Sequence, residues 1–103
     1  MSRYVLTATA QSDLADIREY YLAEAGYRIA RQMLVEFVEA FRFLARTPGA
    51  GHARTDLAEE RLILFWPMRS YLILYRPGTQ PLPVIMIVRG SRDLPQLIRS
   101  RGL

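Results

Sequence analysis

Three apolar runs of about five residues each, Leu62–Trp66, Tyr71–Tyr75 and Val84–Val88, crowd the second half of the chain. Runs this short, rich in β-branched and aromatic side chains, suit strands and not helices. Pro67-Met68-Arg69 separates the first two, and Pro77-Gly78-Thr79-Gln80-Pro81 separates the last two. Both connections are of hairpin length, so the runs predict an antiparallel meander. Successive strand side chains point to opposite faces. Leu62, Leu64 and Trp66 therefore oppose Ile63 and Phe65; Tyr71, Ile73 and Tyr75 oppose Leu72 and Leu74; Val84, Met86 and Val88 oppose Ile85 and Ile87. A sheet with one wet face would show a polar residue at every second position. This one is apolar on both faces, and any fold must shelter both.

The first half supplies cover for one face. Arg3 to Leu6 reads as a short strand, and Thr7 or Thr9 can cap the helix after it. Ala10, Leu14, Ile17 and Tyr21 recur on one side of that helix, and Gly26 is a stop signal at its end. A second helix follows from about Tyr27 to Arg46, with Ala30, Leu34, Phe37, Phe41 and Leu44 as its main stripe and Ile29, Met33 and Val38 widening it. Pro48 and Gly49 end it. The short break at Gly26 predicts an antiparallel helix hairpin. The expectation is one α+β domain over residues 1–103: an N-terminal strand and helix hairpin packed on a three- to four-stranded, mainly antiparallel sheet, with a short C-terminal helix.

What shelters the second face stays open at this stage. In the tail, Asp93 can cap a short helix with Pro95 in its first turn and Leu94, Leu97 and Ile98 on its apolar side. At roughly 25 cal/mol per Å², leaving about 400 Å² of apolar surface wet forgoes roughly 10 kcal/mol, comparable to the stability of a whole domain. Patches of that size usually mark binding sites. A partner lying across the exposed sheet face or along the helix hairpin is one solution. The other is that the tail and the Thr47–Glu60 loop fold back and complete the core.

Composition narrows the chemistry. The chain has no cysteine, which excludes disulfide frameworks, Cys–zinc sites and thiol catalysis. The start, Met1-Ser2-Arg3-Tyr4, turns polar again by Thr7, too soon for a signal peptide, and no apolar stretch nears the ~20 residues of a membrane span. A cytoplasmic protein with no membrane contact is expected. The net charge is +4, and all fourteen basic residues are Arg. A GC-rich genome accounts for that bias as well as function does. Either way, planar guanidinium forks suit carboxylates and phosphates, so the surface fits an acidic protein or nucleic acid.

Few residues suggest catalysis. Imidazole is a common general base, and His52 is the single histidine, but a lone loop histidine is ordinarily just solvated. Asp13, Asp16 and Glu19, with Arg18 among them, read as a solvated helix face with local ion pairs. Gly49-Ala50-Gly51 lacks the Lys and the strand–helix context of a phosphate loop. No metal or cofactor is expected. Arg54, Arg61, Arg69, Arg76, Arg89 and Arg92 flank the strands; they either converge on an anion or guard the sheet edges. Tyr71 and Tyr75 share a face that suits core or interface better than base stacking.

Taken in order, several segments carry a family likeness: Tyr4-Val5-Leu6-Thr7 followed by Ala10 and Asp13-Leu14-Ala15-Asp16-Ile17, the Pro48 to Gly51 break, Arg54-Thr55-Asp56-Leu57, Ser70-Tyr71-Leu72-Ile73-Leu74-Tyr75-Arg76, and Arg89-Gly90-Ser91-Arg92-Asp93-Leu94. Over nearly its whole length the chain resembles a ParE-type toxin of the RelE/ParE toxin–antitoxin superfamily. The resemblance implies a ParD-like antitoxin encoded beside it, whose C-terminal part wraps the toxin and whose N-terminal part binds operator DNA, so that the toxin meets DNA only through its partner. It implies that the free toxin inhibits DNA gyrase, stalling cleaved DNA and blocking replication, without catalytic residues of its own. The sister branch, resembling RelE, cleaves mRNA on the ribosome with basic residues that commonly include Lys and often a Tyr or His near the C-terminus. This chain has no Lys, and neither Tyr nor His after Val88. On this reading Arg54, Arg61, Arg89 and Arg92 are the candidate target-binding residues, and Tyr71, Tyr75, Leu72, Trp66 and Met33 the candidate antitoxin-binding residues.

Overall fold

A computed structural model describes residues 3–53, 63–90 and 94–101. Strand β1 (Tyr4–Leu6) leads into helices α1 (Ala8–Ala25) and α2 (Tyr27–Arg46) and a 3-10 turn at Pro48–Ala50. Strands β2 (His52–Ala53), β3 (Leu64–Met68), β4 (Tyr71–Tyr75) and β5 (Leu82–Arg89) follow, and helix α3 (Leu94–Ser100) closes the chain. The five strands form one sheet in the order β1-β5-β4-β3-β2. β1 runs parallel to β5, and every other pairing is antiparallel. The sheet has one strand more than the three or four expected. The addition is β2, two residues inside a stretch that reads as loop, where His52 pairs with Phe65 and Ala53 with Leu64. Two residues carry no alternation to read; the unpaired edge of β3 recruits them.

Local signals set the hairpin. Thr7 accepts the Ala10 N–H at 3.1 Å and so caps α1. Gly26 alone joins the two helices, at φ 88°, a left-handed conformation that glycine adopts without a Cβ clash. Its N–H reaches back to the Tyr21 carbonyl at 3.0 Å. The β3–β4 turn falls at Arg69-Ser70, not at Pro67, which lies within β3. Arg69 sits at φ 54° and forms a two-pronged ion pair with Glu36 of α2, at 2.6 and 2.7 Å. The guanidinium holds the Glu36 carboxyl below its usual range.

The two faces are sheltered unequally. On the hairpin side, Met33, Phe37, Phe41 and Leu44 of α2 pack with Ile17 against Tyr71, Ile73, Tyr75, Leu82, Val84 and Ile87. On the other side, Ile63, Phe65, Leu74, Ile85, Met86 and Val88 form a second cluster with Ile98 of α3, and Leu72 and Leu97 pack at its margin. A register shift opposite Leu74 and Tyr75 bulges β5 at Ile85. The bulge turns Ile85 and Met86 to the same face and returns Val84 to the hairpin side, against the strict alternation expected.

Ile98 is fully buried. Among the described residues, the large exposed apolar side chains are Val5, Tyr20, Tyr27, Ile29 and Val35, and none belongs to the meander. The expected uncovered sheet face is therefore absent from the described residues. The tail folds back over it, and a side chain like Ile98 contributes roughly 1.5–3 kcal/mol when buried. Of the Thr47–Glu60 loop in that alternative, residues 54–60 lie outside the described residues, as does Leu62. The apolar surface left open runs along the hairpin. No helix among the described residues is long and apolar enough to cross a membrane.

The edge of β5 beyond β1 is closed by the side chains of Thr7, the cap of α1, and of Asp13 within it. The Thr7 hydroxyl donates to the Ile85 carbonyl at 2.6 Å, and the Asp13 carboxylate accepts the Ile87 N–H at 3.0 Å. Asp13 is buried and also receives Arg101 from the tail at 2.7 Å. It does not belong to a solvated helix face, as its neighbours in sequence suggested. On the other flank, the buried Tyr75 hydroxyl accepts the Gly51 N–H at 2.8 Å and donates to the Pro48 carbonyl at 2.7 Å. Burial raises the Tyr75 pKa. A Cβ on Gly51 would lie 2.5 Å from that hydroxyl, so the backbone approach requires glycine.

Two stability effects follow. Tyr75→Phe leaves two backbone groups without their partner and should lower unfolding free energy by about 1–3 kcal/mol in urea denaturation. Asp13→Ala strands the Ile87 N–H and Arg101 and should cost about 2–4 kcal/mol. A midpoint within error of the wild type for either variant contradicts the corresponding contact.

Candidate functional site

Asp13, Ile17 and Tyr20 stand at i, i+4 and i+7 on α1 and so share one helix face. With Asp16 they form one wall of an open cleft of about 400 Å³. Ile87, Val88 and Arg89 at the end of β5 and Tyr71 at the start of β4 form the opposite wall, and Leu97 and Arg101 of the tail close one side.

Arg89 is the most engaged cation of the far wall. Its guanidinium carbon lies 5.5 Å from the ring centroids of both Tyr20 and Tyr71. That spacing places a cation against two π-systems, which attract it and restrain it. One terminal nitrogen donates to the Tyr71 hydroxyl at a long 3.4 Å, and that hydroxyl donates to Tyr21, also at 3.4 Å. The Tyr71 contact, followed by Tyr20, raises Arg89 above its ordinary pKa, and the hydrogen bond from Tyr71 likewise raises Tyr21. No carboxylate among the described residues pairs with Arg89, whereas the other cation, Arg101, is engaged with Asp13. Among the described residues, the cleft thus presents a guanidinium held by tyrosines and paired with no carboxylate.

Of the candidate target- and antitoxin-binding residues named from the sequence, two line this cleft, Tyr71 and Arg89. Tyr75, on the same strand face as Tyr71, lies completely buried and is committed to Gly51 and Pro48. Met33 is buried in the hairpin core. Trp66 is partly buried on the hairpin side, its ring 5.2 Å from Phe43. Leu72 lies partly buried at the edge of the second cluster, on the opposite face from Tyr71. Arg54, Arg61 and Arg92 lie outside the described residues. His52 sits exposed on β2, with β3 and β4 between it and β5. Among the described residues, no three His, Asp or Glu side chains gather as a metal site.

The sequence reading missed Tyr20, Asp13, Asp16 and Arg101 as members of a site. A signal existed: Asp13, Ile17 and Tyr20 repeat at helical spacing, but the carboxylates beside them read as a wet surface. Arg101 is brought to Asp13 only by tertiary folding, across 88 positions.

Comparison with known proteins bears on what this cleft belongs to. The family model of the ParE toxin of the type II toxin–antitoxin system parDE matches residues 4–94. No curated protein matches the chain. Among solved structures, a chain of the chromosomal ParDE TA system from P. aeruginosa superposes with a TM-score of 0.71 at 20% identity, covering 86% of this chain and 96% of that one. At that identity the likeness speaks to the fold. The match of 4–94 takes in β1, the hairpin, the whole sheet and the start of α3. The chain belongs to the family of ParE toxins of type II parDE toxin–antitoxin systems.

Proposed function

We propose that this chain is a non-catalytic inhibitor of DNA gyrase, held inactive by a ParD-like antitoxin encoded beside it. The observation that carries this reading is the family match over residues 4–94, which includes Tyr20, Tyr71 and Arg89 of the cleft. The chemistry of the cleft agrees with binding. Its cations are guanidiniums, which neither accept nor release protons at physiological pH. Of the two carboxylates among the described lining residues, Asp13 is occupied by Arg101 and the Ile87 amide. The solved relative is described as a ParDE system, which supports an antitoxin partner. The exposed Tyr27, Ile29 and Val35 along α2 give such a partner apolar surface to cover. Operator DNA would be reached through the antitoxin. Arg89, with Arg54, Arg61 and Arg92, remains the proposed target-binding set, and Trp66 and Leu72 remain half-buried candidates for antitoxin contact.

Purified toxin incubated with gyrase, ATP and relaxed plasmid should leave the DNA cleaved or unsupercoiled. Full supercoiling, together with mRNA cut on ribosomes, would instead assign the chain to the ribonuclease branch. Expression should arrest growth, and Arg89→Ala combined with Arg92→Ala should relieve the arrest while far-UV circular dichroism stays unchanged. Intact arrest by that folded double variant removes the Arg89–Arg92 segment from target binding.

A further inference from the structure

We propose that the Arg89 cleft is the receptor for one acidic side chain of the antitoxin, seated beside an apolar neighbour of the same segment. The proposal rests on the antitoxin partnership above and specifies where and how it acts.

Three observations carry it. Arg89 is held by Tyr20 and Tyr71, with each ring centroid 5.5 Å from the guanidinium carbon. Held this way, it has little rotamer entropy left to lose, and its planar fork matches a carboxylate in a two-pronged geometry. The described lining of the cleft is also electrically balanced, with Asp13 and Asp16 against Arg89 and Arg101. Asp13 and Arg101 are spent on each other, which among the described residues leaves one guanidinium to recruit an anion and Asp16 nearby to repel a second. Nucleic-acid sites present unopposed basic stripes to a chain of phosphates. A cleft whose described residues balance in charge and leave one cation available selects a single negative charge. Finally, Ile17, Ile87, Val88 and Leu97 make much of the lining apolar. A volume of about 400 Å³ is at the low end of ligand pockets and suits one or two side chains. A peptide segment with a Glu or Asp beside an apolar residue meets all three conditions.

Neutralisation then has a simple physical form. The antitoxin carboxylate occupies the guanidinium that the free toxin offers its target, and the two cannot be bound at once.

The probe is the protein encoded by the adjacent reading frame, titrated calorimetrically against folded toxin variants. Arg89→Gln should weaken binding by about tenfold or more, and Arg89→Lys, which keeps the charge but loses the fork, by less. Asp16→Asn should tighten binding by about two- to fivefold, because it removes a repelling charge without adding a contact. One Glu→Gln or Asp→Asn substitution in the antitoxin should reproduce the Arg89→Gln loss, and the two losses should not add when combined. If Arg89→Gln fails to fold, the same cycle is run with Arg89→Lys, whose smaller loss should likewise not add to that of the antitoxin acid. Unchanged affinity across the Arg89 variants, or full additivity for every antitoxin acid, overturns the cleft assignment and leaves the partnership standing. No binding by the wild type overturns both. A short RNA or DNA oligonucleotide that binds the wild type and is lost in Arg89→Gln, with antitoxin affinity unaltered, gives the cleft to nucleic acid and also overturns the proposal.

Discussion

One buried carboxylate connects three parts of this molecule that have no sequence proximity. Asp13 stands on α1, accepts the Ile87 amide of β5 and receives Arg101 from the tail. β1 pairs with β5 only from Leu82 to Val84, so the remainder of that eight-residue strand would otherwise show an open edge. Open edges invite pairing with other chains. Thr7 and Asp13 close this one with side chains, which leaves the helix where it shelters the sheet. The same carboxylate anchors the tail, and the tail carries Ile98 into the second cluster. Without Asp13 the edge, the tail and the shape of the cleft lose their common support.

The two-faced sheet explains why such an anchor is needed. One hairpin covers one face. The other depends in part on a seven-residue helix, far too short to hold itself together in isolation. Its stability comes from Ile98 and from the Asp13–Arg101 link. The cleft is built partly from this tail, with Arg89, flanked by the Tyr20 and Tyr71 rings, on its far wall.

Much of this was legible in the sequence where periodicity is regular. The faces of β3 and β4 followed from alternation, with Tyr71, Ile73 and Tyr75 toward the hairpin and Leu72 and Leu74 away. The hairpin followed from Gly26 and two apolar stripes. Alternation failed at β5, because a bulge at Ile85 has no composition of its own. It failed to fix the β3–β4 turn, because Pro67 suggested a break that the strand tolerates. Met33, not Leu34, is the buried member of its α2 turn, a shift of one residue around the helix. The site was half legible. Tyr71 and Arg89 stood out as a family-like aromatic and a strand-end cation. Tyr75 reads identically to Tyr71 in sequence but lies deeper, where its hydroxyl serves Gly51 and Pro48. Asp13 was misread because a carboxylate beside Asp16 and Glu19 carries no mark of burial, and its partners come from the far end of the chain.

The claim most open to direct test is that Asp13 holds the β5 edge and the tail together. Native-state amide hydrogen exchange on Asp13→Ala, compared with the wild type, reads both contacts at once. If Asp13 is the shared support, exchange at the Ile87 amide and at the helical amides of α3 accelerates by about tenfold or more beyond any change at the buried turns of α2. Acceleration that is uniform across α2, α3 and Ile87, or absent from Ile87 and α3, would mean that the edge and the tail are held by other means.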